Sequence, residues 1–309
     1  MSEVRSGRIV AIGGGKGGVG KTLVATNLAL ALARQQQRVL LIDADLGGAN
    51  AHTVLGIPAP LSTLSDVVNR GAALDDVTVS TPFENLRFVS GALDDIGAAN
   101  LGHAQKMRLL RQLSRADTDV VILDLGAGTS FNTLDFFLIA HLGVLVVLPE
   151  PTSIENAYRF LKAAFFRRLA AVEKAYGVKD LVDDARATRG TLGIHTPAEL
   201  LKVIAERNPD VGRVLHEQMH RFVPRLVLNQ ARADGSDDTV AADMASACKR
   251  FLGIKLEVLG VLPDDEAVRR AVRQRQPLQE AAPTAPITLA LRDLAERVMT
   301  TSVEKEVSA

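Results

Sequence analysis

Residues 13–22 read Gly-Gly-Gly-Lys-Gly-Gly-Val-Gly-Lys-Thr, and this string carries the clearest chemistry in the chain. Gly15, Gly20, Lys21 and Thr22 satisfy the spacing G-x-x-x-x-G-K-[ST], between an apolar strand-like run and a helix-like one. Glycines let backbone N–H groups turn inward around phosphate oxygens, a concavity that side chains would block. The helix N-terminus that follows adds its partial positive charge at the same place. Gly15, Gly17, Gly18, Val19 and Gly20 are therefore expected to cradle a nucleotide. Lys21 should reach the β- and γ-phosphates, and the Thr22 hydroxyl should ligate Mg²⁺. Two acidic stations follow. Val39-Leu-Leu-Ile-Asp43-Ala-Asp45 ends an apolar run in two carboxylates that share one strand face. Val120-Val-Ile-Leu-Asp124 places an acid after four apolar residues, as in strands whose carboxylate holds Mg²⁺. Blander roles compete, since strand-end carboxylates also cap helices and the glycines after Asp124 suit any turn.

These residues need a frame that brings distant strand ends together. Strands are expected at Arg8–Ile12, Arg38–Ile42, Leu86–Val89, Val120–Leu123, Val144–Leu148, Leu226–Leu228 and Val258–Val261. Helices are expected at Leu23–Arg34, His103–Leu113, Ile154–Tyr176, Asp238–Leu252, Ala267–Gln274 and Ile287–Met299. Alternation of near-continuous Val/Ile/Leu strands with helices predicts an α/β fold: a three-layer, mostly parallel sheet covered on both faces. Pro149 to Pro224 is far longer than a parallel crossover requires. It holds helix-like pieces around Pro197–Arg207 and Val211–Phe222, so either a helical insertion of roughly 167–220 or one overlong helix followed by a surface excursion is expected within one domain spanning 1–309.

Composition narrows the function. The chain has 309 residues, 47% of them hydrophobic, which is enough for a sizeable core and excludes disorder. Its 36 Lys+Arg balance 36 Asp+Glu, so any pull toward polyanions must be local. The single cysteine, Cys248, cannot form a CxxC pair. No apolar run is long enough to cross a bilayer and no export signal precedes the first strand, so a cytoplasmic location is expected.

The string KGGVGKT, with a second lysine at Lys16, resembles the deviant phosphate loop of the MinD/ParA family of ATPases. That resemblance implies the three-layer P-loop fold, ATP with Mg²⁺, and an ATP-dependent homodimer in which Lys16 reaches the partner's nucleotide. It also implies that Asp45 orients the attacking water, that Asp43 supports Mg²⁺ and Lys21, and that Asp124 holds Mg²⁺. Leu125-Gly126-Ala127-Gly128 is similar to the family's second switch, where Gly128 could contact the γ-phosphate. Asn229, after the strand Arg225–Leu228, matches the family's adenine-binding Asn, and Pro263 with Asp264 matches the loop that completes the base pocket.

Within the family, LLIDADLGGAN (40–50), EPTSIENAY (150–158) and GVLPDDEAVRRAV (260–272) resemble the FlhG/FleN branch, which regulates flagellar number and position. Three departures stand out. Leu23 replaces the usual polar residue near the α-phosphate, an N-terminal activation motif found in some members is missing, and the tail from Thr300 to Ala309 is not cationic. Membrane anchoring through that tail is therefore not expected. Arg269, Arg270, Arg273 and Arg275 offer a nonspecific DNA contact, against the plainer role of a solvated helix face. The leading expectation is a switch ATPase acting on an unidentified activator or cargo protein. The alternatives are a nucleotide-bound regulator with negligible hydrolysis that sequesters its partner, and a metabolic phosphoryl-transfer enzyme of the same fold.

Overall fold

The computed structural model describes residues 7–45, 48–91, 101–179 and 194–302. Strand β1 (Arg8–Gly13) lies inside an eight-stranded sheet, between β5 (Val120–Leu125) and β6 (Leu142–Val147). Outward from β5 come β2 (Val39–Ala44), β4 (Leu86–Val89) and the short β3 (Val79–Ser80). Outward from β6 come β7 (Arg225–Ala231) and β8 (Glu257–Pro263). Every pairing is parallel except β3 with β4. The order β3-β4-β2-β5-β1-β6-β7-β8 puts the two acid-ended strands β2 and β5 side by side, next to the strand that feeds the phosphate loop.

Helices cover both faces because strand side chains alternate. Ile9 and Ala11 of β1 join one core, Val10 and Ile12 the other. The first core lies under α4 (His103–Arg115), α5 (Phe131–Ile139), α6 (Pro151–Tyr176) and three further helices: α7 (Pro197–Arg207), α8 (Pro209–His220) and α9 (Val240–Ala247). The second lies under α1 (Lys21–Arg34), α2 (Ala51–Leu55), α10 (Glu266–Gln274), α11 (Leu278–Ala281) and α12 (Pro286–Thr300). Another short helix, α3 (Leu74–Val77), precedes β3, and π-helical turns stand at Asp66–Arg70 and Cys248–Leu252. Helix α1 is apolar almost all round, and Leu28, Leu30 and Leu32 are all buried, as suits a helix enclosed by sheet and α12. The expected three-layer, mostly parallel α/β architecture is the one observed.

Two differences from the sequence expectation have physical reasons. Helix α5 carries no clear sequence signal, because its second half, Phe136–Ile139, merges with β6 in one apolar run broken only by His141. Helix α6 continues unbroken through residue 167 to Tyr176, with Leu169 and Val172 buried, so the start expected for the insertion falls inside a helix of the main core. The helices at Pro197–Arg207 and Pro209–His220 do form. They pack closely: a Cβ on Gly212 would lie 2.4 Å from Ala205 Cα. The rest of the expected insertion, residues 180–193, lies outside the described residues, as do Leu46, Gly47 and the tail 303–309. Among the described residues no helix is long and apolar enough to cross a membrane.

Candidate nucleotide site

The loop from Gly14 to Gly20 joins β1 to α1 at the carboxyl edge of the sheet. Gly18 (φ +79°) and Gly20 (φ +94°) hold left-handed conformations that L side chains resist, which explains glycine at both positions. Gly20 also serves as the N-cap of α1, and no side chain closes that helix end. Its first-turn N–H groups therefore face the loop, where an anion is favoured. Lys21 is buried, with Nζ 3.5 Å from the Lys16 carbonyl. Burial lowers its pKa, while the nearby charges of Asp124 and Asp45 pull it back up.

Asp43 and Asp124 are paired residues on adjacent parallel strands, both fully buried. The Asp43 carboxylate accepts hydrogen bonds from Ala51 N (3.0 Å) and Asp45 N (3.1 Å), so it also organises the turn after β2. Burial pushes Asp43 up to about 6, although those amides favour its charged form. Asp124 differs. Neither of its oxygens has a partner at ordinary hydrogen-bond geometry, although the Thr22 hydroxyl lies near enough to favour its charged form. Burial raises its pKa well above the carboxylate range, the Asp43 charge adds to this, and Thr22 and Lys21 oppose it. A buried carboxylate with no well-formed hydrogen bond, beside a second carboxylate and a threonine hydroxyl, is a hard-oxygen set suited to a small divalent cation. The residues present thus fit Mg²⁺.

Asp45 stands just beyond β2, and its carboxylate lies against the turn after β5: a Cβ on Gly126 would sit 3.0 Å from it. The Gly128 N–H donates to the Gly14 carbonyl (3.2 Å), which ties that turn to the phosphate loop. Lys16 is exposed, and its Nζ reaches Thr152 Oγ1, at 3.4 Å, on the first turn of α6.

Beside the same N-terminal end of α1, Asn229, Pro263 and Asp264 come together around a cavity of about 150 Å³, along with Leu23, Gln230 and Arg269. Asn229 is buried and donates from Nδ2 to the Val19 carbonyl (2.9 Å), leaving its Oδ1 without a partner. The expected base-recognition residues are thus joined in space and linked to the phosphate loop. Sequence reading missed Gln230, a non-glycine residue at φ +57° beside a register shift in β7, because nothing in a glutamine announces that backbone. Of the four arginines, Arg269 pairs with Glu266 at 3.1 Å, and Arg275 closes α10 in a left-handed conformation. Arg270 and Arg273 are exposed.

A parallel sheet with a glycine loop at a helix N-terminus, a buried lysine and a strand-end carboxylate defines a phosphate-loop nucleotide-binding protein. The CobQ/CobB/MinD/ParA nucleotide binding domain matches residues 10–278, and the chain belongs to that family as a phosphate-loop ATPase. It is 32% identical over 300 residues to antiactivator FleN of Pseudomonas aeruginosa, covering 96% of this chain and 88% of that one. It is 23% identical to the septum site-determining protein MinD of Helicobacter pylori, covering 87% and 83%. The septum site-determining protein MinD of Pyrococcus horikoshii, solved with Mg-ADP, shares the fold: TM-score 0.64, 23% identity, 95% and 96% of the two chains.

Proposed function

We propose that this chain is an ATP-driven switch that binds ATP with Mg²⁺, dimerises on it, and hydrolyses it slowly to reset. The observation that carries the reading is the contrast between the two lysines of the loop. Lys21 is buried beside Asp124 and Asp45 and serves its own site. Lys16 stands exposed at the loop's edge, placed to meet phosphate presented by a second copy. A cation supplied in trans neutralises transition-state charge as an arginine finger does.

The chain's residues divide the work. The amides of Gly15 to Thr22 and the α1 terminus hold phosphate oxygens, and Lys21 bridges toward the terminal phosphates. Thr22 and Asp124 would hold Mg²⁺ with support from Asp43; bound there, the cation would offset charge on the phosphates. Asp45, beside the Gly126 turn, orients water for attack, and Gly128 couples that turn to the loop. The base lies against Asn229, Pro263 and Asp264. The output is control of the position or activity of a partner protein. The 32% identity to an antiactivator across nearly the whole chain supports a protein partner, and the FlhG/FleN resemblance points to flagellar control. Helices α7 and α8 stand as an addition to a single ATPase domain. With the Arg269 guanidinium paired to Glu266, nonspecific DNA is the secondary candidate.

Light scattering on the eluting protein tests the switch. ATP should convert monomer to dimer, and Lys16→Ala should still bind ATP but remain monomeric. Unchanged dimerisation of Lys16→Ala removes the trans role, and normal turnover by Asp45→Ala removes its catalytic assignment.

A further inference from the structure

Leu23, in the first turn of α1, has no side-chain donor for an α-phosphate, yet it lines the cavity beside Asn229. Among the described residues that line this cavity none is aromatic. A purine entering it meets the aliphatic groups of Leu23, Pro263 and Val268, and one planar cation, the Arg269 guanidinium. The start of α10 is fixed next to this opening, because Asp265 caps it, accepting from Ala267 N (2.8 Å), and also accepts from Ile287 N (3.3 Å). Glu266 holds the Arg269 guanidinium at 3.1 Å while most of that side chain stays exposed at the mouth. A guanidinium plane stacks on π-systems and keeps its charge at any working pH.

We propose that Leu23 and Arg269 form a nucleoside grip: Leu23 packs against the sugar–base unit and Arg269 lies over the purine face. The grip shifts binding free energy from the α-phosphate to the base. It also assigns one member of the arginine cluster to the nucleotide. This inference rests on the ATP reading above.

Titration calorimetry with Mg²⁺ and either ADP or inorganic tripolyphosphate separates base from phosphate. Arg269→Ala should weaken ADP about 5–30-fold, the range of a partly desolvated cation–π contact, and leave tripolyphosphate unchanged. Leu23→Ala should lower the ratio of ADP to tripolyphosphate affinity, a readout insensitive to a loss of folded protein. Arg273→Ala, on the same helix, should match the unsubstituted chain. The proposal is overturned if Arg269→Ala binds ADP like Arg273→Ala, or loses both ligands equally, which marks a general charge effect. A chain that binds no ADP at all overturns the ATP reading and this inference together.

Discussion

Three glycines of the phosphate loop should respond differently to the same added methyl group. A Cβ on Gly15 would lie 2.0 Å from the Asn156 carbonyl oxygen, 2.4 Å from its carbon and 2.9 Å from Ala157 N. All three are backbone atoms of α6, so no side chain can rotate away. An unstrained C···O approach is about 3.3–3.6 Å, so loop and helix must separate by about 1.3–1.6 Å. Such overpacking costs about 1–3 kcal/mol. At Gly17 a Cβ meets nothing within 4 Å, and its φ is not positive, so alanine there is neutral or gains about 0.4–1 kcal/mol from a less flexible unfolded chain. Gly18 also has open space but sits at φ +79°, so Gly18→Ala costs about 1–2 kcal/mol through backbone strain alone. For a chain of this length each kcal/mol moves Tm by about 1.5 °C, so calorimetric melts of the nucleotide-free protein resolve the series. Turnover adds a second readout, since a loop displaced by ~1 Å in Gly15→Ala should lose about 10²-fold. Equal melts for Gly15→Ala and Gly17→Ala, or a larger loss in the latter, would refute the packing of loop on α6.

Asp124→Asn should abolish Mg²⁺-dependent turnover yet stabilise the nucleotide-free protein by about 1–3 kcal/mol, by removing a buried carboxylate that has no well-formed hydrogen bond. Because the folded pKa of Asp124 is raised, the native state holds its proton longer than the unfolded chain, and this group's penalty grows as pH rises above about 4. Paired urea titrations should therefore show the gap between variant and parent widening from pH 4 to pH 8; a constant gap contradicts the assignment. Asp135 on α5 presents the opposite case. Burial would raise its pKa, but hydrogen bonds from Arg167 (2.7 and 3.0 Å) and Lys106 (2.5 Å) outweigh that and hold it low. Asp135→Asn should cost about 1–2 kcal/mol at pH 7, with the difference lost as pH falls through the depressed pKa. Equal stability at neutral pH would show that this junction of α4, α5 and α6 contributes nothing.

The phosphate loop was legible from sequence because its chemistry is local. Gly15, Gly20, Lys21 and Thr22 lie close together in sequence where a strand passes into a helix, and the backbone demands glycine where φ is positive, as at Gly18 and Gly20. Asp43 and Asp124 were legible singly, since an acid ending an apolar run marks a strand tip. Their burial side by side was not, because the order β2-β5-β1 is set by packing between distant segments. The same limit hid α5, whose apolar residues merge with β6, and the left-handed turn at Gln230. Sequence thus determined where the phosphate-loop motif falls and that the sheet is mostly parallel. Tertiary structure alone decided that Asp124 is buried without a well-formed hydrogen bond, that Lys16 faces outward onto Thr152, and that Leu23 and Arg269 share a cavity with Asn229. Each of these depends on contacts between chain segments far apart, which no local spacing encodes.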